Sequence, residues 1–391
     1  MFRRVRYYIF LKDVFLLSIA AFGGPQAHLA MMFDLMVRKR AYLSEEDLIE
    51  LNALCQVLPG PTSTQTVTAI GFRIGGPNLA YLTLLVWMLP AVTIMTIAAI
   101  LISQLQAQNV SLDFTRFLQP IAVGFVSYAA FLITRKVVRS KTAWVLMISS
   151  ALISFKLSSP YTFPVLILLG GMITAFKYKK QPIEDKQRIQ IQWANFLLWA
   201  GVFILAAGLG GITRSLPVRL FENFYRSGSL IFGGGQVLIP FLHAEFVELK
   251  QLLTSQEFLT GYAIGQSVPG PVFSFCAYVG ALSMRDSGVG GQVLGSFVAS
   301  MGIFLPGVFL IFFVIRFWDS LKKYRWVRAS LEGVNAVSSG MVVAAAVLLF
   351  LPIGFSVINS LLVVTTFLLL MFTRIPAPLI ILAGLMAGIL L

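Results

Sequence analysis

Two Pro-Gly-Pro triplets, Pro59-Gly60-Pro61 and Pro269-Gly270-Pro271, sit in the middle of long apolar stretches where a helix is otherwise expected. Each triplet removes two backbone donors and supplies one residue with free dihedrals, so a continuous helix cannot run through it. Proline suits the first turn of a helix, so Pro61 and Pro271 are expected to start second half-helices whose free N–H groups belong to residues 62–65 and 272–275. A helix N-terminus carries unsatisfied donors and about half a positive charge, which can hold an anion without a side-chain cation. Gly23-Gly24-Pro25 and Gly233-Gly234-Gly235 offer two more breaks, with Gln26 and Gln236 just inside the following half-helices as amide donors. Gln56 and Gln266 lie one turn before the Pro-Gly-Pro triplets, and Thr62, Ser63, Thr64 and Ser274 carry amides or hydroxyls just after them. Such hydroxyls also bond back to their own helix. Glycines and prolines of this kind occur as simple kinks or close contacts in membrane helices, but kinks do not require matching glutamines. The four breaks are therefore expected to converge near the membrane midplane as an anion site.

Charged residues beside the apolar stretches are few, and each is a functional candidate by default. His28, Asp34, Arg73, Glu245 and Glu257 head that set. For His28, one turn after the first break, substrate binding or proton relay competes evenly with an interhelical hydrogen bond. Glu245, roughly three turns after the second glycine break, and Arg73 are the other candidates for charge or proton coupling. Arg38, Lys39 and Arg40 could attract an anion, but they fit a topology signal better. With two histidines, His28 and His243, no paired metal-ligand spacing and no repeated acid pair, no catalytic residue, metal site or cofactor is expected. That argues against an intramembrane enzyme. Cys55 and Cys276 fall in apolar segments at non-equivalent positions and are read as packing residues.

The elements that must position these residues are membrane helices. The 391 residues are 58% hydrophobic and 12% charged, where a soluble domain carries about 25% charge. About thirteen apolar segments are separated by short polar gaps, which leaves no room for a sizeable soluble domain. The net charge of +14 comes from short runs between these segments, with no continuous basic face, so nucleic acid is not an expected partner. Runs at 3–6, 135–141, 177–180 and 322–328 mark cytoplasmic loops. The basic N-terminus carries no signal-peptide cleavage pattern and is expected to be retained, on the cytoplasmic side of the cell's inner membrane.

The chain is duplicated. Gln26 to Gln236 and Pro59 to Pro269 each span 210 positions, and Leu43-Ser44 and Asp47 match Leu253-Thr254 and Glu257 at the same offset. Downstream, Leu89-Pro90 matches Leu305-Pro306 at an offset of 216, so the second copy has gained about six residues, expected between 285 and 291. The expected organisation is a first repeat over 1–180, a linker with a connecting segment over 181–218, and a second repeat over 219–391. Seven segments separate equivalent positions, and an odd number inverts the second copy, a transporter architecture. Simple crossing places Arg38, Lys39 and Arg40 on the wrong side. Re-entrant hairpins bending at the first two breaks would return them to the cytoplasm. Arg214, Arg219 and Arg226 stay outside under either scheme, without an explanation in the sequence.

At these residues the chain resembles the chromate transporter family in its long, two-domain form. The pattern is a glycine-rich phenylalanine motif followed by a glutamine leading into Pro-Gly-Pro, in each half. It appears as Phe22 to Gln26 with His28, Gln56 to Pro61, Phe232 to Gln236 with Pro240 and Glu245, and Gln266 to Pro271. The resemblance covers essentially the whole chain. It implies a carrier in the bilayer, dependent on the proton motive force, that exports chromate, with sulfate as a related oxyanion. The sequence leaves the oligomeric state open, a homodimer included.

Overall fold

A computed structural model describes residues 2–22, 24–108, 113–157, 162–177, 192–232, 235–321, 324–373 and 375–390. Most of the polar linker region, 178–191, lies outside the described residues, as do Gly23, Gly233 and Gly234. The described residues contain helices and no strand. In chain order these are α1 (Phe2–Ala20), α2 (Gly24–Met32), α3 (Glu45–Val57), α4 (Thr62–Ala107), α5 (Leu118–Val137), α6 (Lys141–Lys156), α7 (Thr162–Ala175) and α8 (Ala194–Thr213). Then follow α9 (Leu216–Leu230), α10 (Gly235–Leu242), α11 (Ser255–Ser267), α12 (Phe275–Ser283), α13 (Gly288–Val314), α14 (Trp318–Leu321), α15 (Arg325–Phe350), α16 (Val357–Phe372) and α17 (Ala377–Leu390). They form two compact units, one of Met1–Ala107, Gln192–Ser229 and Ile264–Ile315, the other of Gln108–Ile191, Leu230–Ala263 and Arg316–Leu391.

The first unit is organised by helical hairpins. Helix α3 starts at a capping box, in which Ser44 Oγ accepts from the Asp47 N–H and Asp47 accepts from the Ser44 N–H. It ends at Leu58, whose extended backbone leads into Pro59-Gly60-Pro61. Gly60 takes φ +114°, and the chain turns back as the first arm of α4. The return is antiparallel: Thr66 meets Asn52, and Arg73 forms a 2.7 Å ion pair with Asp47 at the start of α3. Thirteen residues at 1.5 Å each make α3 about 20 Å long, too short for a hydrocarbon core of about 30 Å. The triplet thus forms the inner tip of a hairpin whose two ends lie together.

The first glycine break does the same. After α2 a π-helix over Phe33–Lys39 widens the turn, and Ala41 adopts φ +50°. Arg40 and Tyr42 then reach back to Asp13 in α1, at 2.8 and 2.7 Å, so the chain returns to the level at which it entered. Arg40 thus lies beside Asp13 of α1.

Helix α4 is two helices. Gly76, with φ +76° and ψ −166°, breaks it just before Pro77. The arms fold against each other where an added Cβ on Gly71 would sit 2.4 Å from Thr83 Oγ1. The second arm, 77–107, is about 45 Å long and can cross a bilayer.

These backbone events repeat. A second π-helix, His243–Leu249, and the φ +52° of Gln251 stand 210 positions after the first set. Thr254 and Glu257 form the second capping box, Gly270 takes φ +111°, and Gly288, at φ +70° and ψ −171°, repeats the Gly76 break. Gly76 and Gly288 are 212 positions apart and Pro90 and Pro306 are 216 apart. Two of the six extra residues therefore precede Gly288, not the whole gain. The other four add about one turn within α13. One full turn keeps the buried face of α13 in register.

Within the first unit α12 and α13 cross closely at Gly280 and Gly295, where each Cβ would meet the other's carbonyl oxygen at 2.3 and 2.2 Å. Helices α8 and α9 cover α13: Gly302 and Gly228 let the α9 and α13 backbones touch, and Tyr225 donates to the Trp199 carbonyl. Of the three arginines left unexplained by sequence, Arg226 pairs with Glu222 at 3.1 Å. Arg214 and Arg219 line a crevice with Glu222 at the α8–α9 corner.

The second unit is built around α15, which packs on α5, α6 and α7. Small residues carry these crossings, with Gly333 against Gly170 and Gly340 against Met147 and Ser150. Gly124 meets Thr366 of α16, and Gly384 of α17 meets Ile121.

Among the described residues five helices are long and apolar enough to cross a membrane, namely Thr62–Ala107, Asp113–Val137, Ala194–Thr213, Arg285–Val314 and Arg325–Ile353. Four shorter apolar helices accompany them, so the thirteen apolar segments do not map one for one onto spanning helices. Helix α8 exposes Leu197, Ile204, Leu205 and Ile212, an apolar surface that water does not favour and lipid does. The chain is an all-helical membrane protein.

Candidate functional site

Three of the four sequence breaks meet inside the first unit, joined by a chain of hydrogen bonds. The Ala21 carbonyl, at the first glycine break, accepts from the Gly270 N–H at 2.8 Å and from the His28 ring at 3.1 Å. A carbonyl only accepts, so His28 carries its proton on Nε2, and Nδ1 accepts from the Ser63 hydroxyl at 3.1 Å. The second triplet, the first glycine break and the start of α4 are therefore linked through Ala21 and one buried imidazole. His28 thus makes an interhelical hydrogen bond to Ser63.

Each Pro-Gly-Pro tip rests on the long helix of the other copy. An added Cβ on Gly60 would lie 3.7 Å from Gly307 Cα, and one on Gly270 would lie 3.1 Å from Ala91 Cβ. Ala91 and Gly307 are equivalent, each directly following the repeated Leu-Pro pair.

The first-copy tip is closed by its own side chains. Gln65 Nε2 donates to the Pro59 carbonyl at 2.6 Å, and Trp87 Nε1 donates to Thr64 Oγ1 at 3.2 Å. Trp87 also presents its ring edge-on to His28. Pro61 is not the first helical residue, as expected from sequence, but the N-cap: its carbonyl accepts from the Gln65 N–H, so Gln65 is not a free donor and the open amides are those of Thr62, Ser63 and Thr64. The second copy differs again. Pro271 is followed by a 3-10 turn, Val272–Ser274, in which the Ser274 N–H is already bonded to Pro271. Its open amides at this tip are those of Val272 and Phe273, while the Phe275 N–H contacts the Val272 and Phe273 carbonyls.

The remaining candidates separate. Gln266 is half-buried beside the second tip with Nε2 unpartnered, as are Ser267 Oγ and the buried Ser274 Oγ. Gln56 is on the exposed face of α3. Gly24, at φ +75°, and Pro25 begin α2, and the side chain of Gln26 lies outside the described residues. Arg73 is at the hairpin ends, paired with Asp47, and lines a crevice of about 220 Å³ with Arg6, Tyr42 and Leu43. Asp34 makes an exposed pair with Lys39. Glu257 is a buried helix cap.

The second unit holds the other glycine break. Gly235 and Gln236 open α10, the Gln236 side chain lies outside the described residues, and the Phe232 carbonyl accepts from Ser338. Glu245 is buried in the following π-helix and pairs with Lys250 at 2.9 Å. His243 contacts Glu248 at 3.2 Å.

Sequence reasoning missed Asp13, Gln65 and Trp87. Asp13 is 2% exposed and anchors Arg40 and Tyr42. Burial pushes the Tyr42 hydroxyl up to about 12, so it stays a donor to Asp13 throughout the physiological range. A polar residue one turn inside an apolar arm was the available signal for Gln65. Asp13 could have been found as a lone acid at the start of an apolar run.

Comparison with known proteins covers the whole of this arrangement. The family model described as chromate transporter matches the chain twice, over residues 9–175 and 218–389. An uncharacterized transporter of Methanocaldococcus jannaschii is 27% identical over 360 residues, covering 90% of this chain and 87% of its own. A chromate transport protein of Pseudomonas aeruginosa is 25% identical, covering 84% of this chain and 78% of its own. One of Cupriavidus metallidurans is 23% identical, covering 95% and 90%. No solved structure matches the chain. The two matched segments carry both sets of breaks, one in each copy, and the chain belongs to the chromate transporter family.

Proposed function

We propose that this chain is a secondary transporter that exports chromate from the cytoplasm, with the dianion held at the half-helix N-termini of the broken segments. The observation that carries the reading is the junction of three breaks through Ala21, His28, Ser63 and Gly270, which gathers open backbone amides without a cation among them. Backbone that leaves its helix inside a bilayer is tolerated where it is buried or lines a cavity, because an unpaired amide costs several kcal/mol in hydrocarbon. Amides at a helix N-terminus favour an anion. The names of the relatives in Pseudomonas aeruginosa and Cupriavidus metallidurans point to chromate as that anion.

The membrane potential sets the direction. One charge moved through 100 mV is worth about 2.3 kcal/mol, so an inside-negative potential drives a dianion outward by roughly twice that. Export needs no proton, although Glu245 and His28 are the positions at which proton exchange would enter. The two repeats, 1–180 and 219–391, are joined by the 181–218 linker and inverted relative to each other. One rocks against the other to alternate access, with the N-terminus cytoplasmic in the inner membrane.

The test is uptake of labelled chromate into inverted vesicles containing the full chain, with empty vesicles as control and unlabelled sulfate as competitor. Uptake that rises with an inside-positive potential is expected. Folded, correctly oriented protein that takes up sulfate but not chromate overturns the substrate. Chromate uptake indifferent to the potential overturns the driving force.

A further inference from the structure

We infer that the two Pro-Gly-Pro tips are not equivalent binding elements: the second is the anion-contacting one, through Gln266, Ser267 and Ser274, and the first is a closed brace. This rests on the reading of the chain as an oxyanion carrier and names which part of the site touches the anion.

The contrast is residue by residue at one backbone geometry. Both tips turn on a glycine with φ near +110°, +114° at Gly60 and +111° at Gly270. At the first tip the donors that follow the turn are engaged, Ser63 with His28, Thr64 with Trp87 and the Gln65 amide nitrogen with Pro59, and the one orphan is an acceptor, Gln65 Oε1, which does not suit an anion. The equivalent positions in the second copy, at the offset of 210, are Phe273, Ser274 and Phe275, and His28 becomes Leu238. His28, the partner of Ser63, is thereby replaced by an apolar side chain, as are Ser63 and Gln65 themselves. Ser274 alone remains polar, is 2% exposed, and its hydroxyl has no partner. On the other flank of the same turn, Gln266 Nε2 and Ser267 Oγ are also buried and unpartnered. Ser267 has the apolar Val57 as its equivalent, and Gln56, the counterpart of Gln266, is exposed on α3.

A buried donor without a partner is costly to keep, because its hydration is lost and nothing replaces it. Three of them within nine residues, on both sides of one helix break, are accounted for by a ligand that supplies acceptors. Two hydroxyls and a carboxamide are neutral donors, and with the open amides of Val272 and Phe273 they suit a tetrahedral oxyanion that presents several oxygens. Chromate and sulfate both qualify.

The experiment uses the full chain in proteoliposomes and in detergent, with chromate and sulfate as probes. Each variant is measured for the KM of chromate uptake, for chromate-induced thermal stabilisation, and for the unfolding temperature without anion. Ser274→Ala, Ser267→Ala and Gln266→Ala are each expected to raise KM about tenfold or more, the loss of a hydrogen bond to a charged group. Their unfolding temperatures without anion should not fall, since the deleted groups hold no protein partner. Ser63→Ala is the comparison: it should lower the unfolding temperature and raise KM at least fivefold less than Ser274→Ala. If Ser63→Ala and Ser274→Ala raise KM equally, the tips are equivalent and the inference is overturned. It is also overturned if Ser274→Ala lowers the unfolding temperature while KM and anion stabilisation stay at the wild-type value. A wild-type chain that neither transports nor is stabilised by chromate or sulfate refutes the carrier reading itself, a separate result visible before any variant is made.

Discussion

Replacing Gly60 by alanine tests whether the hairpin tip is a constrained structure or a loose kink. At φ +114° an alanine is strained, by about 1–2 kcal/mol for a non-glycine residue in the left-handed region. Its Cβ would also lie 2.8 Å from Gln65 Nε2. Gln65 must then swing away and give up its 2.6 Å bond to the Pro59 carbonyl, leaving that buried acceptor unsatisfied at a further cost of about 1–3 kcal/mol. The sum for Gly60→Ala is about 2–5 kcal/mol. Two glycines calibrate it. Gly76→Ala, at φ +76° with open space around the added Cβ, should cost the strain alone, about 1–2 kcal/mol. Gly270→Ala should fall between, because its Cβ meets Ala91 Cβ at 3.1 Å and the backbone must give by a few tenths of an ångström. Equilibrium unfolding of purified protein in mixed detergent micelles, followed by tryptophan fluorescence, reads all three. An unfolding cost for Gly60→Ala no larger than for Gly76→Ala refutes the reasoning, since the Gln65 contact would then contribute nothing.

His28→Leu removes one of two donors to Ala21 and the acceptor of Ser63, and should destabilise the protein by about 1–3 kcal/mol; His28→Gln should recover part of it in the same unfolding assay. Glu245→Gln leaves Lys250 without its buried carboxylate and should cost on the order of 3 kcal/mol, the low end for a broken buried pair because Lys250 keeps partial exposure. Adding Lys250→Met to Glu245→Gln should restore stability, and a double variant less stable than the single one refutes the pairing argument. Arg73→Gln should change the unfolding free energy by less than about 1 kcal/mol, because its pair with Asp47 is half-exposed.

The backbone plan was legible because it depends on residue types that act locally. Proline and glycine break helices wherever they stand, so Pro59-Gly60-Pro61 and its copy could be located without knowing what surrounds them. The capping pairs Ser44–Asp47 and Thr254–Glu257 likewise form within four residues. What sequence could not supply were contacts between distant segments. Trp87 reads as an apolar helix residue until the Gly76 break folds its arm back onto Thr64. Asp13 is one acid in a basic leader until Arg40 and Tyr42 return to it. Arg73 reads as a coupling candidate because it is a cation inside an apolar stretch, and only the hairpin shows that it pairs with Asp47 at the start of α3. The helix after the first triplet begins at Thr62, one residue later than expected, with Pro61 outside it. The difference between the tips was written in the sequence at Leu238, Phe273 and Phe275, but it becomes visible only once the partners of His28, Ser63 and Gln65 are known.

The reciprocal contact between copies explains a residue difference that symmetry alone would not predict. Gly60 approaches Gly307 and Gly270 approaches Ala91, and the two long-helix positions are equivalent, yet only one carries a methyl group. The reason is Gln65. A Cβ on Gly307 would lie 2.6 Å from Gln65 Nε2, whereas in the second copy the counterpart of Gln65 is Phe275 and Ala91 is accommodated. Glycine inside a helix costs about 1 kcal/mol against alanine, so Gly307→Ala gains that propensity and loses the Gln65 bond to Pro59, worth about 1–3 kcal/mol. The single variant should therefore be neutral to destabilised by about 2 kcal/mol. In a chain already carrying Gln65→Ala the obstruction is gone and the Pro59 bond is already lost, so adding Gly307→Ala should now stabilise by about 1 kcal/mol. The double-mutant coupling is thus about 1–3 kcal/mol. Additive effects within about 0.5 kcal/mol would mean that Gly307 is kept for another reason, and the brace between the two copies would not run through Gln65.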